Sequence, residues 1–303
     1  MEQKTLRATR ESRRMMRSLR GASLEEVGYA ISRPFVRRQA RPGWVSVDFA
    51  ELWHYRELLL FQALRDIKVR YKQTALGAAW AILQPLLTMA AFTIFFGKLA
   101  GVPSDGVPYP IFTFSALLPW QLFAFALTQS SNSLVDNAAV LTKVYFPRLI
   151  LPFASVLAGL VDFTIACVVL AGMILYYGVV PGWEAMTLPL FTLLALAAAL
   201  AVGLWLSALN VRYRDVRYTI PFLAQFWLFI TPVAYSSTLV PKEWQPIYAL
   251  NPMVGVIDGF RWALLGKAPP GPMLLVSVLA TALVLIGGLL YFRRMERSLA
   301  DVV

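Results

Sequence analysis

Uncharged, mostly apolar stretches of about 20 residues recur along this chain, separated by short segments that carry nearly all of its charge. Six such stretches are readable, at 75–96, 111–128, 150–179, 186–209, 219–234 and 273–292. A run of that length matches the hydrocarbon thickness a helix must cross, and in lipid a helix satisfies its own backbone hydrogen bonds. The pattern therefore predicts an all-α integral membrane protein with six transmembrane helices. The shorter alternating segments of a membrane β-barrel do not occur.

Two segments break the pattern. Over 51–72, Leu52, Tyr55, Leu59, Leu60, Leu64, Ile67 and Tyr71 recur at steps of about three or four, among polar positions that include Arg65, Lys68 and Lys72. That spacing predicts an N-terminal amphipathic helix, lying in the membrane interface or packed on the bundle. Between the fifth and sixth spans, Pro241, Pro246 and Pro252 punctuate a segment whose apolar part, 251–265, is too short to cross. Short re-entrant helices are expected there, with Asp258 and Arg261 at a spacing that lets them pair.

Charge sets the orientation. Of the 28 Lys and Arg, 24 fall before the first span, in the second-to-third and fourth-to-fifth loops, and in the tail. Only Lys98, Lys242, Arg261 and Lys267 fall on the other side, so both termini are predicted to be cytoplasmic. Residues 1–41 alone hold eleven basic and four acidic side chains. A basic arm (1–44) ahead of the interface region (45–73) and the six-span domain (74–303) suits contact with anionic membrane lipids, and no nucleic acid is expected as a partner. No removable leader is expected either.

The candidate chemistry is sparse. Cys167 is the single cysteine and His54 the single histidine, so no metal site is expected. There is no phosphate-binding loop of the G-x-x-x-x-G-K-[ST] kind, and no paired intramembrane carboxylates suited to catalysis or ion coupling appear. Asp162 is the only acid inside a predicted span. It reads either as a polar contact to substrate or a neighbouring helix, or as a hydrogen-bonded packing carboxyl. Internal repeats of the kind that build secondary transporters are not visible. Asp66, Asp136 and Asp215 sit singly among basic residues, which argues against a membrane enzyme. If the chain moves something, a partner must supply the energy.

Three stretches carry a resemblance. Arg65-Asp66-Ile67-Lys68-Val69-Arg70-Tyr71-Lys72-Gln73-Thr74, followed by Leu76-Gly77, Trp80 and Gln84-Pro85-Leu86, leads into the first span. Asn137-Ala138, Leu141, Lys143-Val144-Tyr145-Phe146-Pro147-Arg148 and Pro152 form the second-to-third loop. Asn210-Val211-Arg212-Tyr213-Arg214-Asp215-Val216, then Pro221, Gln225, Trp227, Thr231-Pro232 and Asn251-Pro252, surround the fifth span. In order and spacing, from about residue 58 to 292, the chain resembles the transmembrane subunits of type-2 ABC exporters for polysaccharides (O antigen, teichoic acid, capsule). What departs from the family's pattern is the arm before Trp44, which is longer than is associated with the family core and is not explained by these motifs.

The resemblance implies a homodimer of this chain joined to two ABC ATPase subunits, exporting a polysaccharide, often lipid-linked, across the inner (cytoplasmic) membrane of a bacterium. ATP and Mg would bind to the partner subunit, with no cofactor in this chain and no enzymatic activity of its own. A coupling helix near 133–146 would meet the ATPase through Asn137, Leu141, Lys143, Val144, Tyr145, Phe146 and Pro147. Arg65, Lys68, Arg70 and Lys72 would border the substrate entrance. Phe226, Trp227, Tyr235 and Asp162 are channel candidates, and a periplasmic gate near 241–265 would contain Asn251, Pro252, Asp258 and Arg261. The alternative within the fold is a type-2 ABC permease for a small lipid or drug.

Overall fold

Helix is what an apolar chain forms when water is not there to satisfy its peptides. A computed structural model of the chain describes residues 49–72, 78–141, 143, 146–213 and 215–296, and among these it contains helices and no strand. The basic arm 1–44, Val144 and Tyr145 lie outside the described residues. Chain order gives α1 (Phe49–His54), α2 (Arg56–Lys72), α3 (Ala78–Phe92, continued by a π-helical turn Thr93–Leu99), α4 (Tyr109–Asp136) and α5 (Ala138–Leu141). There follow α6 (Ile150–Tyr176), α7 (Leu188–Arg212), α8 (Val216–Ile230), α9 (Gln245–Tyr248), α10 (Pro252–Leu265) and α11 (Met273–Glu296).

Five of these are long and apolar enough to cross a membrane: α3 with its π turn, α4, α6, α7 with the 3-10 turn before it, and α11. The fifth predicted span is α8, which has only 15 residues, a length of about 22 Å at 1.5 Å per residue. Pro221 lies inside it, and the Thr231-Pro232 pair follows its last turn.

The centre of the bundle is α4. Its 28 residues extend for about 42 Å, more than the roughly 30 Å of hydrocarbon. It packs chiefly against α7 and α6, and α11 packs on the far side of α7. Small residues allow the close approach: a Cβ on Gly203 of α7 would lie 2.0 Å from Ser130 Oγ of α4. Asn210 Nδ2 then ties α7 to α4 by donating to Ser131 O (3.1 Å) and Asn132 Oδ1 (3.0 Å). By contrast α3 is almost unburied, and α8 buries only Ile220 and Ala224. Both leave apolar faces for lipid or for another chain.

The amphipathic segment packs and exposes at once. Gln62 and Ala63 are buried and α2 lies on α6, while Trp53, Leu60, Phe61 and Leu64 face outward as an apolar stripe. The re-entrant segment forms the 3-10 turn Ser237–Leu239, α9 and α10. Asn251 caps α10, its side chain accepting from Met253 N (3.1 Å), with Pro252 in the first turn and Gly266 in the left-handed conformation (φ 61°) at the other end. Its 14 residues reach about 21 Å, and nearly all are buried against α4, α7 and α11.

Candidate functional site

At one end of the bundle, α2, the α4–α6 connection and the end of α11 come together, because Arg148 donates from its backbone N to Glu296 Oε1 (3.3 Å) and from Nη1 to Glu296 O (3.0 Å). Consecutive residues of α2 reach Asp162, the one acid inside the uncharged runs read from the sequence. Arg70 Nη2 lies 2.6 Å from Asp162 Oδ2, and Tyr71 donates its hydroxyl to Asp162 Oδ1. Both carboxylate oxygens are therefore occupied. The Arg70 guanidinium also lies over the Phe125 ring, 4.3 Å from its centroid. Gly159 makes room for that ring, since a Cβ there would stand 2.7 Å from Phe125 Cδ1. Burial, and then the bond to Asp162, push the Tyr71 hydroxyl up to about 12.

The four cations assigned to an entrance are divided by this geometry. Arg70 is engaged as described. Arg65 pairs with Asp66 (2.7 Å) and donates to Asn137 Oδ1 (2.7 Å), and the Gln62 amide lies against both. Lys68 and Lys72 point outward and are exposed.

The segment 133–146 is not one helix. Ser133 and Asn137 bond back to carbonyls of α4, Ser133 Oγ to Ser130 O (2.7 Å) and Asn137 Nδ2 to Ser133 O (2.8 Å), and α4 runs on to Asp136. Among the described residues of this segment, Ala138–Leu141 forms a separate short helix. Asn137, Phe146 and Pro147 are buried, Leu141 is half-buried, and Val140 and Lys143 are exposed. Arg217, just inside α8, pairs with Asp136 at 3.2 Å beside this segment.

At the opposite end, Asp258 and Arg261 take separate partners instead of forming an ion pair. Asp258 Oδ1 accepts from Ser237 Oγ (2.9 Å). Arg261 donates from Nη1 to Tyr235 O and from Nη2 to Val233 O, both at 3.0 Å, and lies over the Phe112 ring at 3.7 Å. It is 3% exposed. Val233 and Tyr235, in the turn that follows α8 and the Thr231-Pro232 break, supply those acceptors, which the spacing of charged residues alone did not reveal. Asn251 joins in by accepting from Trp227 Nε1 (3.0 Å) and donating to Thr231 Oγ1 (2.9 Å). Tyr235 and Tyr248 share a hydroxyl contact of 2.9 Å. Phe226, by contrast, is exposed on α8 and stacks on Phe222. Thus Trp227 and Tyr235 belong to this polar network, Phe226 to the open face of α8, and Asp162 to the other end.

Two cavities adjoin Arg70. One, of about 550 Å³, lies between α2 and the α4–α5 turn and touches Arg65, Asp136, Asn137 and Val140. The other, of about 400 Å³, lies among α3, α4 and α6 and touches Gln84, Gln121 and Asp162. Arg70, Phe125 and Gln129 line both. The glutamines did not stand out in the sequence because a search for uncharged runs counts Gln as permissible. Their recurrence at helical steps on one face was the available signal.

A family profile described as ABC-2 type transporter matches residues 58–265, which covers α2 through α10. The O-antigen export system permease protein RfbA of Myxococcus xanthus is 31% identical over 239 residues, covering 78% of this chain and 91% of that protein. A Klebsiella pneumoniae protein of the same name is 25% identical over 248 residues, covering 82% and 95% of the two chains. The polysialic acid transport protein KpsM of Escherichia coli is 23% identical over 244 residues, covering 78% and 92%. With five helices able to cross a bilayer and a profile match over most of its length, this chain is a multi-pass protein of the bacterial inner membrane and belongs to the ABC-2 type transporter family.

Proposed function

We propose that the chain is the transmembrane subunit of an ATP-driven exporter that carries a cell-surface polysaccharide, of the O-antigen class and lipid-linked, out of the cytoplasm. The observation that carries the reading is the similarity to O-antigen export permeases over nearly their whole length. A bundle without a phosphate-binding loop draws its energy from elsewhere, so the working assembly is two copies of this chain with two ABC ATPase subunits that bind ATP and Mg. In this reading α8 is the sixth crossing, both termini are cytoplasmic, and the sparsely buried α3 and the aromatic face of α8, Phe226 included, meet the second copy or the moving polymer.

The α4–α6 connection is the proposed ATPase contact. Exposed Val140 and Lys143 and half-buried Leu141 support it as the touching part, together with Val144 and Tyr145. Buried Asn137, Phe146 and Pro147 would transmit motion to α2 and α4 instead of touching the partner. Arg65, Lys68, Arg70 and Lys72 border the proposed entrance, with the outward Lys68 and Lys72 suited to first contact with anionic headgroups. In the gate reading of the outer segment, with Asn251, Pro252, Asp258 and Arg261, α10 would move as one body with the end of α8 and the turn after it, to which Asn251 and Arg261 tie it.

The test is export of polymer by cells or vesicles with and without the cognate ATPase. Export is expected to vanish without the ATPase, and to vanish with Leu141→Asp while the protein stays in the membrane. Uphill export by this chain alone would overturn the reading.

A further inference from the structure

The cavity among α3, α4 and α6 is walled by amides and hydroxyls although it lies between helices of membrane-crossing length. Gln84 and Thr88 stand one turn apart on α3, and Gln121, Thr128 and Gln129 recur on one face of α4. Both threonines are satisfied within their own helices, Thr88 Oγ1 donating to Gln84 O (2.9 Å) and Thr128 Oγ1 to Ala124 O (2.8 Å). The glutamines are not: among the described residues, the side-chain amides of Gln84, Gln121 and Gln129 make no hydrogen bond. Gln84 and Gln129 are exposed and Gln121 is half-buried, so their donors and acceptors are open to whatever enters the space. Three of them on one space of about 400 Å³ suit it to an occupant that can hydrogen-bond to all three.

Charge and shape narrow the class of that occupant. The ionised side chains at this wall, Arg70 and Asp162, already neutralise each other. An anion would meet no free cation, and an acyl chain or an apolar helix of another copy would leave the amides stranded. A primary amide offers two donors and an acceptor, the complement of a sugar bearing many hydroxyls. The α4 stripe continues from Gln121 to Asp136, about 22 Å along the axis. It leads past Arg70, Phe125 and Gln129 into the second cavity, of about 550 Å³.

We infer that this groove is a hydroxyl-binding station for neutral sugar units in transit, with Gln84, Gln121 and Gln129 as the contacting side chains and the Arg70–Asp162 pair marking its boundary with the second cavity. The station rests on the polysaccharide-export reading.

The test uses full-length chain in the membranes of polymer-producing cells, with Cys167→Ala removing the one native thiol. Gln84→Cys, Gln121→Cys and Gln129→Cys are exposed to a small, charged, water-soluble thiol reagent, and Leu283→Cys, on an exposed apolar position of α11, is the control. The groove positions are expected to label at least tenfold faster than the control, and severalfold more slowly when polymer is being made than when its synthesis is blocked. Labelling as slow as at Leu283→Cys would show a groove filled by lipid or by another copy. Labelling indifferent to polymer would show plain water. Either result overturns the station while leaving dependence of export on the ATPase intact. Gln121→Leu, which suits a membrane helix, is the second measurement: export is expected to fall about three- to tenfold at unchanged membrane abundance, and unchanged export overturns the station as well.

Discussion

Arg70 and Arg261 each lie over a phenylalanine ring, at opposite ends of the bundle, yet their charges are balanced by different means. Arg70 faces a carboxylate, Asp162, and its side chain is 41% exposed. Arg261 is held by two backbone carbonyls of the turn that follows α8 and is buried, with no acid in ion-pair contact among the described residues. A carboxylate on a side chain can swing away and be replaced. Carbonyls fixed by a helix end cannot, and removing the guanidinium leaves them orphaned in a place water does not reach. The end holding α2 is therefore adjustable, whereas α10 and the end of α8 are fastened into one body.

The largest effect is expected from breaking the fixed end. Arg261→Met should cost roughly 3 kcal/mol or more of stability, read as a lower melting temperature in detergent and loss of chain from the membrane. Arg261→Lys should recover little, because a point charge does not bridge two acceptors as a planar fork does. A result within about 0.5 kcal/mol of the unaltered chain would erase the contrast.

At the adjustable end, Asp162→Asn and Arg70→Gln should each cost about 1–2 kcal/mol, the lower value reflecting solvent around a partly exposed pair. Combining them should cost less than the sum of the two, and a double-mutant cycle by thermal melting measures the difference. Strict additivity would mean that the pair contributes nothing. Gly159→Ala should cost about 1 kcal/mol by displacing the Phe125 ring beneath Arg70. If the cycle repeated in that background returns an undiminished coupling, the ring is not what steadies the guanidinium.

The smallest effect concerns alkaline pH. The Tyr71 hydroxyl titrates near 10 when free and is pushed up to about 12 in the folded chain. Its contribution is whole below pH 10 and declines as the pH rises towards 12. The unaltered chain should thus lose more stability than Tyr71→Phe between those values. Equal losses would place Tyr71 outside the clasp.

Much of the fold is legible in the sequence, because spans are long and the period of their apolar residues admits one backbone. The five long helices fall where uncharged runs lie, and the short α10 follows from its proline and its length. What hydropathy cannot show is how far a span continues beyond the lipid. Ser133 and Asn137 bond to their own helix and carry α4 through what reads as the start of a loop. Polar pairing across elements is equally hidden. Asp162 is conspicuous as a lone acid, but its partners come from residues some ninety positions earlier. The spacing of Asp258 and Arg261 suggests each other, and the break after Ile230 supplies carbonyls that only the folded chain brings within reach.

The burial of α10 bears on the order in which the protein is assembled. Helix α10 is too short to be retained in the bilayer by its own length, and it carries an arginine that hydrocarbon would reject. Its seat is walled by α4, α7 and α11, and α11 is the last of these to be synthesised. Emerging α10 must therefore wait, unhoused, until α11 arrives to close the wall, so α10 reaches its seat by docking and not by insertion.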